Sequence, residues 1–354
     1  MGRYYVKGLP WAHGLGTPMN GERNVEEVLK KAKLDFYVDK CQLVAKMPFT
    51  INQSPLLGDP DAFSYGGNIY RDCPNAYATY RTDMNIPLGL VKSKYEVVQN
   101  RDAFDFFDEA IGPGKAEYQY AGAYGYGHKV FITAKLPNET FVKGEPLEHY
   151  LVLSNSHDGS SSINIMFTPI RVFCTNCLNF GMKQADSYIR IKHTKTAKER
   201  LDNGARILKI ACQYATEATE IYKSLSMVSM GDDAVLKYIC GLILTPDEVI
   251  KLYEYDKVNG FRKLAAVNYL TLEATGISTR KANQIATIYD YYFTGVAQKD
   301  IVGSAWGAYN AITGYYSNVA NLDGERRMDS LLYGNANNVT HRALIEAREF
   351  AEAV

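Results

Sequence analysis

The hydrophobic period of this 354-residue chain changes near residue 182. Before that point short apolar runs alternate with polar residues and are broken by Gly and Pro; beyond it apolar residues recur at helical spacing with few breakers. Segregated strand-like and helix-like stretches specify an α+β chain, not the parallel sheet of a βαβ repeat. The expectation is a mostly antiparallel sheet with an inserted helix over residues 1–182 and a mainly helical region over 183–354, compatible with one continuous module. No fixed-period repeat is present.

In the first region, Asn24 followed by Val-Glu-Glu27 is a capping-box pattern for a short helix to about Lys33. Strands are expected over Phe36–Ala45, Ala76–Thr82, Leu88–Val98, Glu117–Tyr126, Lys129–Leu136, Leu147–Ser154 and Ile163–Phe173. Pro48–Asn75, with its Pro and Gly, reads as a long loop, and a helix capped by Asn100 places Phe104, Phe107 and Ile111 on one face. In the second region one helix from residue 194 to about 225 carries Leu201, Ala205, Leu208, Cys212, Ala215 and Tyr222 along one side. Thr245-Pro-Asp-Glu248 is a helix start, and further helices begin near Ser278 and Thr340.

A 46% hydrophobic content is enough to bury real cores and excludes disorder as a description of the whole. No run approaches the ~18 apolar residues of a membrane helix, and Met1–Val6 lacks a signal core, so a soluble, cytoplasmic protein is expected. The six cysteines are scattered, with Cys212 and Cys240 on apolar helical faces, and read as reduced thiols.

The densest polar cluster is Asn155-Ser-His-Asp-Gly-Ser-Ser-Ser162. His157 and Asp158 could form an acid/base pair, but no activated nucleophile stands nearby, and a hairpin turn accounts for the same residue types. Cys174 and Cys177 with His157 and His193 make four conceivable zinc ligands. A lone C-x-x-C is weak evidence, so neither metal nor cofactor is expected. Walker, H-E-x-x-H and G-x-S-x-G motifs are absent from the sequence. No catalytic residue is assigned.

Two features point to nucleic acid. The balance of 39 basic and 39 acidic residues argues against a polyanionic partner, yet it hides a patch. Residues 183–209 carry eight Lys/Arg and three Asp/Glu, a net of +5 between flanks of −1 and −4. On a helix from residue 194, Lys195, Lys198, Arg206 and Lys209 fall within about 80° of one another, interrupted by Asp202. Together with Arg190 and Lys192, such a stripe can follow phosphates. The second feature is tyrosine, present 27 times. If Glu117–Tyr126 is one regular strand, Tyr118, Tyr120, Tyr124 and Tyr126 share a face on which bases could stack.

Several segments resemble a known family, the phage- and plasmid-associated proteins grouped as domain of unknown function 932. They are Ala78-Thr-Tyr-Arg-Thr-Asp83 with Leu88-Gly-Leu-Val, Tyr95-Glu-Val-Val-Gln-Asn100, Ser154-Asn-Ser-His-Asp-Gly-Ser160, Arg171-Val-Phe-Cys-Thr-Asn176, Ile191-Lys-His-Thr194 and Gly303-Ser-Ala-Trp-Gly-Ala-Tyr-Asn310. The resemblance spans residues 20–320 and implies a mobile-element context, without an established activity. It matches Cys174 but not Cys177. A fold-level analogy extends to ring-forming strand-annealing proteins of the RecT and Red-beta type.

The expected function is non-catalytic binding of single-stranded nucleic acid by a homo-oligomer during phage or plasmid replication or recombination. His157, Asp158, Gly159, Arg171, Cys174 and Asn176 would hold the hairpin and strand end that position the surface. The alternatives are a metal-assisted hydrolase acting on nucleic acid through His157, Asp158 and Cys174, and a structural or host-interaction protein.

Overall fold

The computed structural model describes residues 16–47, 62–111, 117–171, 174–175, 188–201, 217–259, 275–320, 326–327, 330–331 and 334–354. Antiparallel sheets occupy the N-terminal half and helices the C-terminal half. The larger sheet runs β1 (Gly16–Pro18), β6 (Glu117–Tyr124), β7 (Lys129–Val142), β8 (Glu145–Ser156) and β9 (Ile163–Arg171). Two short strands, β10 (Cys174–Thr175) and β11 (Tyr188–Ile191), both pair with β9. Residues beyond 182 therefore return to the N-terminal sheet before the helices begin.

One row across this sheet aligns Ala121, Ile132, Leu153, Ile165 and Ile189. That face packs against α1 (Val25–Lys31) and α2 (Asn100–Ile111). Burying each large aliphatic side chain contributes about 1.5–3 kcal/mol. The central strand β8 is buried on both faces from His149 to Ser156. One core cluster continues from Met19 to Ala347.

The smaller sheet has β4 (Asn68–Arg81) at its centre, flanked by β2 (Val38–Met47) on one side and by β3 (Ala62–Tyr65) and β5 (Ile86–Lys92) on the other. The long loop expected over Pro48–Asn75 is thus partly strand; residues 48–61 lie outside the described residues. Gly66 and Gly67, at φ 55° and 73°, make the two-residue turn that left-handed backbone at both positions permits. The Gly-rich composition belonged to a hairpin.

Other boundaries also move. β5 ends at Lys92 rather than Val98. Asn100 begins α2, but its side chain is turned inward instead of capping the helix. Asn24 and Ser278 do cap theirs, accepting from Glu27 N (2.9 Å) and Lys281 N (3.4 Å). The helix expected from residue 194 starts at Ala197 in α3 (Ala197–Leu201), because Thr194–Thr196 form a turn. Helix resumes over 217–227, and 202–216 lie outside the described residues. The last helix begins at Asn335, leaving Thr340 mid-helix with its hydroxyl on the Ala336 carbonyl (2.9 Å).

The helix Ala305–Gly314 is buried at every residue and runs into a π turn, Tyr315–Val319. Small residues permit this: a Cβ at Gly307 would strike the Ile301 carbonyl. No helix among the described residues is long and apolar enough to cross a membrane.

Candidate nucleic-acid interface

The Ser-His-Asp-Gly-Ser cluster is the turn of the β8–β9 hairpin, and it is wedged into the molecule. His157 is fully buried, its N–H donates to the His128 carbonyl (2.8 Å), and its carbonyl accepts from Thr79 Oγ1 (2.6 Å). The Asn100 amide nitrogen donates to the Leu34 carbonyl (2.9 Å), so its oxygen accepts from His157 Nε2 (2.8 Å). Asp158 Oδ1 accepts from Ser156 Oγ (2.5 Å), Ser160 Oγ (2.6 Å) and Ser160 N (2.9 Å), closing the turn on itself. Gly159 takes φ +74° there, and a Cβ at Gly89 would run into the Asp158 backbone.

His193 anchors the neighbouring chain. Its Nδ1 donates to the Glu96 carbonyl (3.1 Å), its own carbonyl accepts from Glu96 N (3.2 Å), and its ring stacks on Tyr95 at 4.5 Å. The Tyr95 hydroxyl donates to the Ser156 carbonyl (2.7 Å). Burial, reinforced by the mutual proximity of the two imidazoles, depresses His157 to about 3, and burial depresses His193 to about 4. Both are neutral near pH 7. Burial pushes the Asp158 carboxyl up, but hydrogen bonds from Ser156 and Ser160 outweigh it and hold the group below its ordinary value. A sealed neutral imidazole tied to an amide oxygen has no route to a substrate, so this geometry is that of a joint rather than an acid/base centre.

Among the described residues no three of His, Cys, Asp and Glu gather as metal ligands. Arg171 and Cys174 pair across the β9–β10 turn; Asn176 and Cys177 lie outside the described residues.

The cations take the opposite position. Arg190, Lys192, Lys195 and Lys198 are all exposed, running from β11 through the Thr194–Thr196 turn into α3. Lys198 Nζ lies 3.2 Å from Asp102 Oδ1. Lys195 precedes the helix, so the expected four-residue helical stripe does not hold at its first member. Arg206 and Lys209 fall outside the described residues.

The tyrosine row does not form. β6 pairs Tyr118 with Ala134 but Tyr120 with Thr133, a bulge that gives two residues of one strand to one of the other. Side-chain parity flips at that point. Tyr118 joins the core, Tyr120 and Tyr124 turn to the opposite face, and the strand ends before Tyr126. Tyr124 is buried, Tyr120 half-buried and Tyr126 exposed, so the four rings offer no common stacking surface.

Reading by residue type missed Thr79, Gly89, Tyr95, Glu96 and Asn100 as partners of the hairpin and of His193. The signal lay in the resemblance itself: those residues belong to the segments around Ala78–Asp83, Leu88–Val91 and Tyr95–Asn100, which converge on Ser154–Ser160 and Ile191–Thr194. The family model for the domain of unknown function DUF932 matches residues 87–344. No curated protein and no solved structure matches the chain. The matched stretch contains the hairpin, the extended 95–99 segment, β11 and the buried Ala305–Gly314 helix, and on it the chain belongs to the DUF932 family.

Proposed function

We propose that this chain is a non-catalytic protein that binds single-stranded nucleic acid through its phosphates, along the edge formed by β11 and α3. The observation that carries the reading is the exposure of Arg190, Lys192, Lys195 and Lys198 in one continuous stretch of chain. Among the described residues Lys192 and Lys195 make no ion pair or side-chain hydrogen bond. Threonine hydroxyls at 194 and 196 alternate with these ammonium groups, the mixture that contacts phosphate without reading bases. The tyrosines of β6 no longer support base stacking, so strand preference rests on the comparison of substrates.

The test is a gel-shift salt series with single- and double-stranded oligonucleotides. Binding should weaken as salt rises, and Lys192→Glu, Lys195→Glu and Lys198→Glu together should lower affinity on the order of 100-fold or more. Unchanged affinity in that triple variant overturns the assignment. Tighter binding of duplex than of single strands overturns the single-strand part alone.

One observation favours a second role, contact between protein chains in a homo-oligomer. The distal part of the smaller sheet exposes Phe63 and Tyr65, the latter at 75%. A stable assembly that retains no nucleic acid would mark that role as the main one.

A further inference from the structure

We infer that the Lys92-Ser93-Lys94 turn is a second bank of phosphate contacts, set beside the β11–α3 edge so that a nucleic-acid backbone lies between two rows of cations. This inference rests on the proposed binding function and adds residues from a distant part of the chain. The turn belongs to the β5–α2 connection, roughly a hundred residues before β11, and no charge count along the sequence joins the two. The fold does. Glu96 and His193 exchange two hydrogen bonds, from the Glu96 N–H to the His193 carbonyl (3.2 Å) and from His193 Nδ1 to the Glu96 carbonyl (3.1 Å). Tyr95 stacks on the same imidazole at 4.5 Å. Lys94 therefore stands one residue before the Tyr95–His193 stack on one segment, while Lys192 and Lys195 flank His193 on the other.

The turn is held in place. Tyr95 N donates to the Lys92 carbonyl (3.0 Å), and Lys40 Nζ donates to the carbonyls of Ser93 (3.0 Å) and Tyr95 (2.8 Å). Lys92, Ser93 and Lys94 are nonetheless exposed, and neither lysine makes an ion pair or side-chain hydrogen bond among the described residues. Two exposed lysines on a fixed turn and two on the β11–α3 stretch thus lie on segments joined at the Tyr95–His193 stack. Flexible lysines that already pair with acids would be poor phosphate ligands; these four release only solvent counterions. The acids on or beside these segments are Glu96, Asp102, Asp158 and Glu199, of which Asp102 pairs with Lys198. Asp158 remains a carboxylate under its hydrogen bonds from Ser156 and Ser160, and Glu96 lies in the Tyr95–His193 contact itself, so Glu96 is the opposing charge to remove.

The experiment is fluorescence anisotropy of the full chain with a labelled oligothymidylate across a salt series. Lys92→Gln with Lys94→Gln should reduce the magnitude of the log K against log salt slope by about 1.4, two contacts at about 0.7 each, with affinity at low salt falling on the order of tenfold. Glu96→Gln should strengthen binding. Lys237→Gln, an exposed lysine on the Asp232–Ile243 helix, should leave the slope unchanged. If the unmodified protein binds and the Lys92/Lys94 variant keeps its slope, or if Lys237→Gln lowers it equally, the second bank does not exist. If the unmodified protein fails to bind at all, the proposed function falls and this inference with it.

Discussion

Two polar stretches of this chain meet opposite fates. Ser156–Ser162 and Arg190–Lys198 are both charged or hydroxyl-rich, and in sequence both look like surface. The first turns Ser156 and His157 inward among the smaller sheet, α2 and the β6–β7 turn, bonds His157 to other segments, and closes Asp158 on Ser156 and Ser160 within the turn. The second keeps its lysines exposed and turns Ile191, His193 and Ala197 inward. Backbone closure separates them: residues in a turn that another strand overlies can satisfy their polar groups internally, whereas the β11–α3 stretch turns Lys192 and Lys195 to solvent and sets Lys198 beside Asp102 at the surface. A joint should be sensitive to every atom and an edge to charge alone.

Gly89→Val tests the joint hardest. The new side chain has no room against the Asp158 backbone, and overpacking at a site that cannot yield should cost about 3 kcal/mol or more, measured by urea unfolding. Stability within 0.5 kcal/mol of the parent would mean that the hairpin turn is not pinned against β5. Asn100→Ala comes next. It strips the partner from His157 Nε2 and from the Leu34 carbonyl together, and two buried unsatisfied groups should cost about 2–3 kcal/mol.

Acid should loosen the joint before it affects the edge. His157 and His193 have folded values of about 3 and 4 against an ordinary value of 6.5, so between those limits the unfolded chain binds more protons than the folded one. Their contribution to stability is complete above pH 6.5 and is lost as pH falls through that window. Each withdraws about 2 kcal/mol at pH 5, at 1.36 kcal/mol per unit. Urea midpoints measured from pH 7 to pH 4.5 should fall steeply, and because burial also depresses His149 to about 4, His157→Gln should remove about a third of the slope. A flat profile would place the imidazoles in contact with water.

The sequence made these regions legible to different degrees. The α+β class and the antiparallel first half followed from hydrophobic period, because period 2 and period 3.6 survive tertiary packing. Cap residues such as Asn24 and Ser278 announced helix starts because their hydrogen bonds are local. What failed was everything set by a non-local partner. Asn100 has the side chain of a cap, yet its amide is claimed by Leu34 and His157 from 66 and 57 residues away. The tyrosine row failed through one bulged residue, Gln119, which alternation cannot reveal because the residue types on either side are unchanged. Among the cations, exposure was readable from charge, but the neighbourhood of Lys92 and Lys94 depends on a contact between Glu96 and His193, 97 positions apart.

The smallest effect on stability belongs to the edge. Lys192→Gln with Lys195→Gln removes two exposed side chains that bond to no other described residue, and such surface changes stay within about 0.5 kcal/mol. Melting temperature should therefore be unchanged while the salt slope of nucleic-acid binding falls by about 1.4. The pairing of those two readouts separates edge from joint. A joint residue loses stability first and binding only as a consequence, so its binding defect should disappear at lower temperature, where the fold is intact. A drop in melting temperature for the lysine pair would mean that the ammonium groups hold the fold, and the division between the two stretches would not stand.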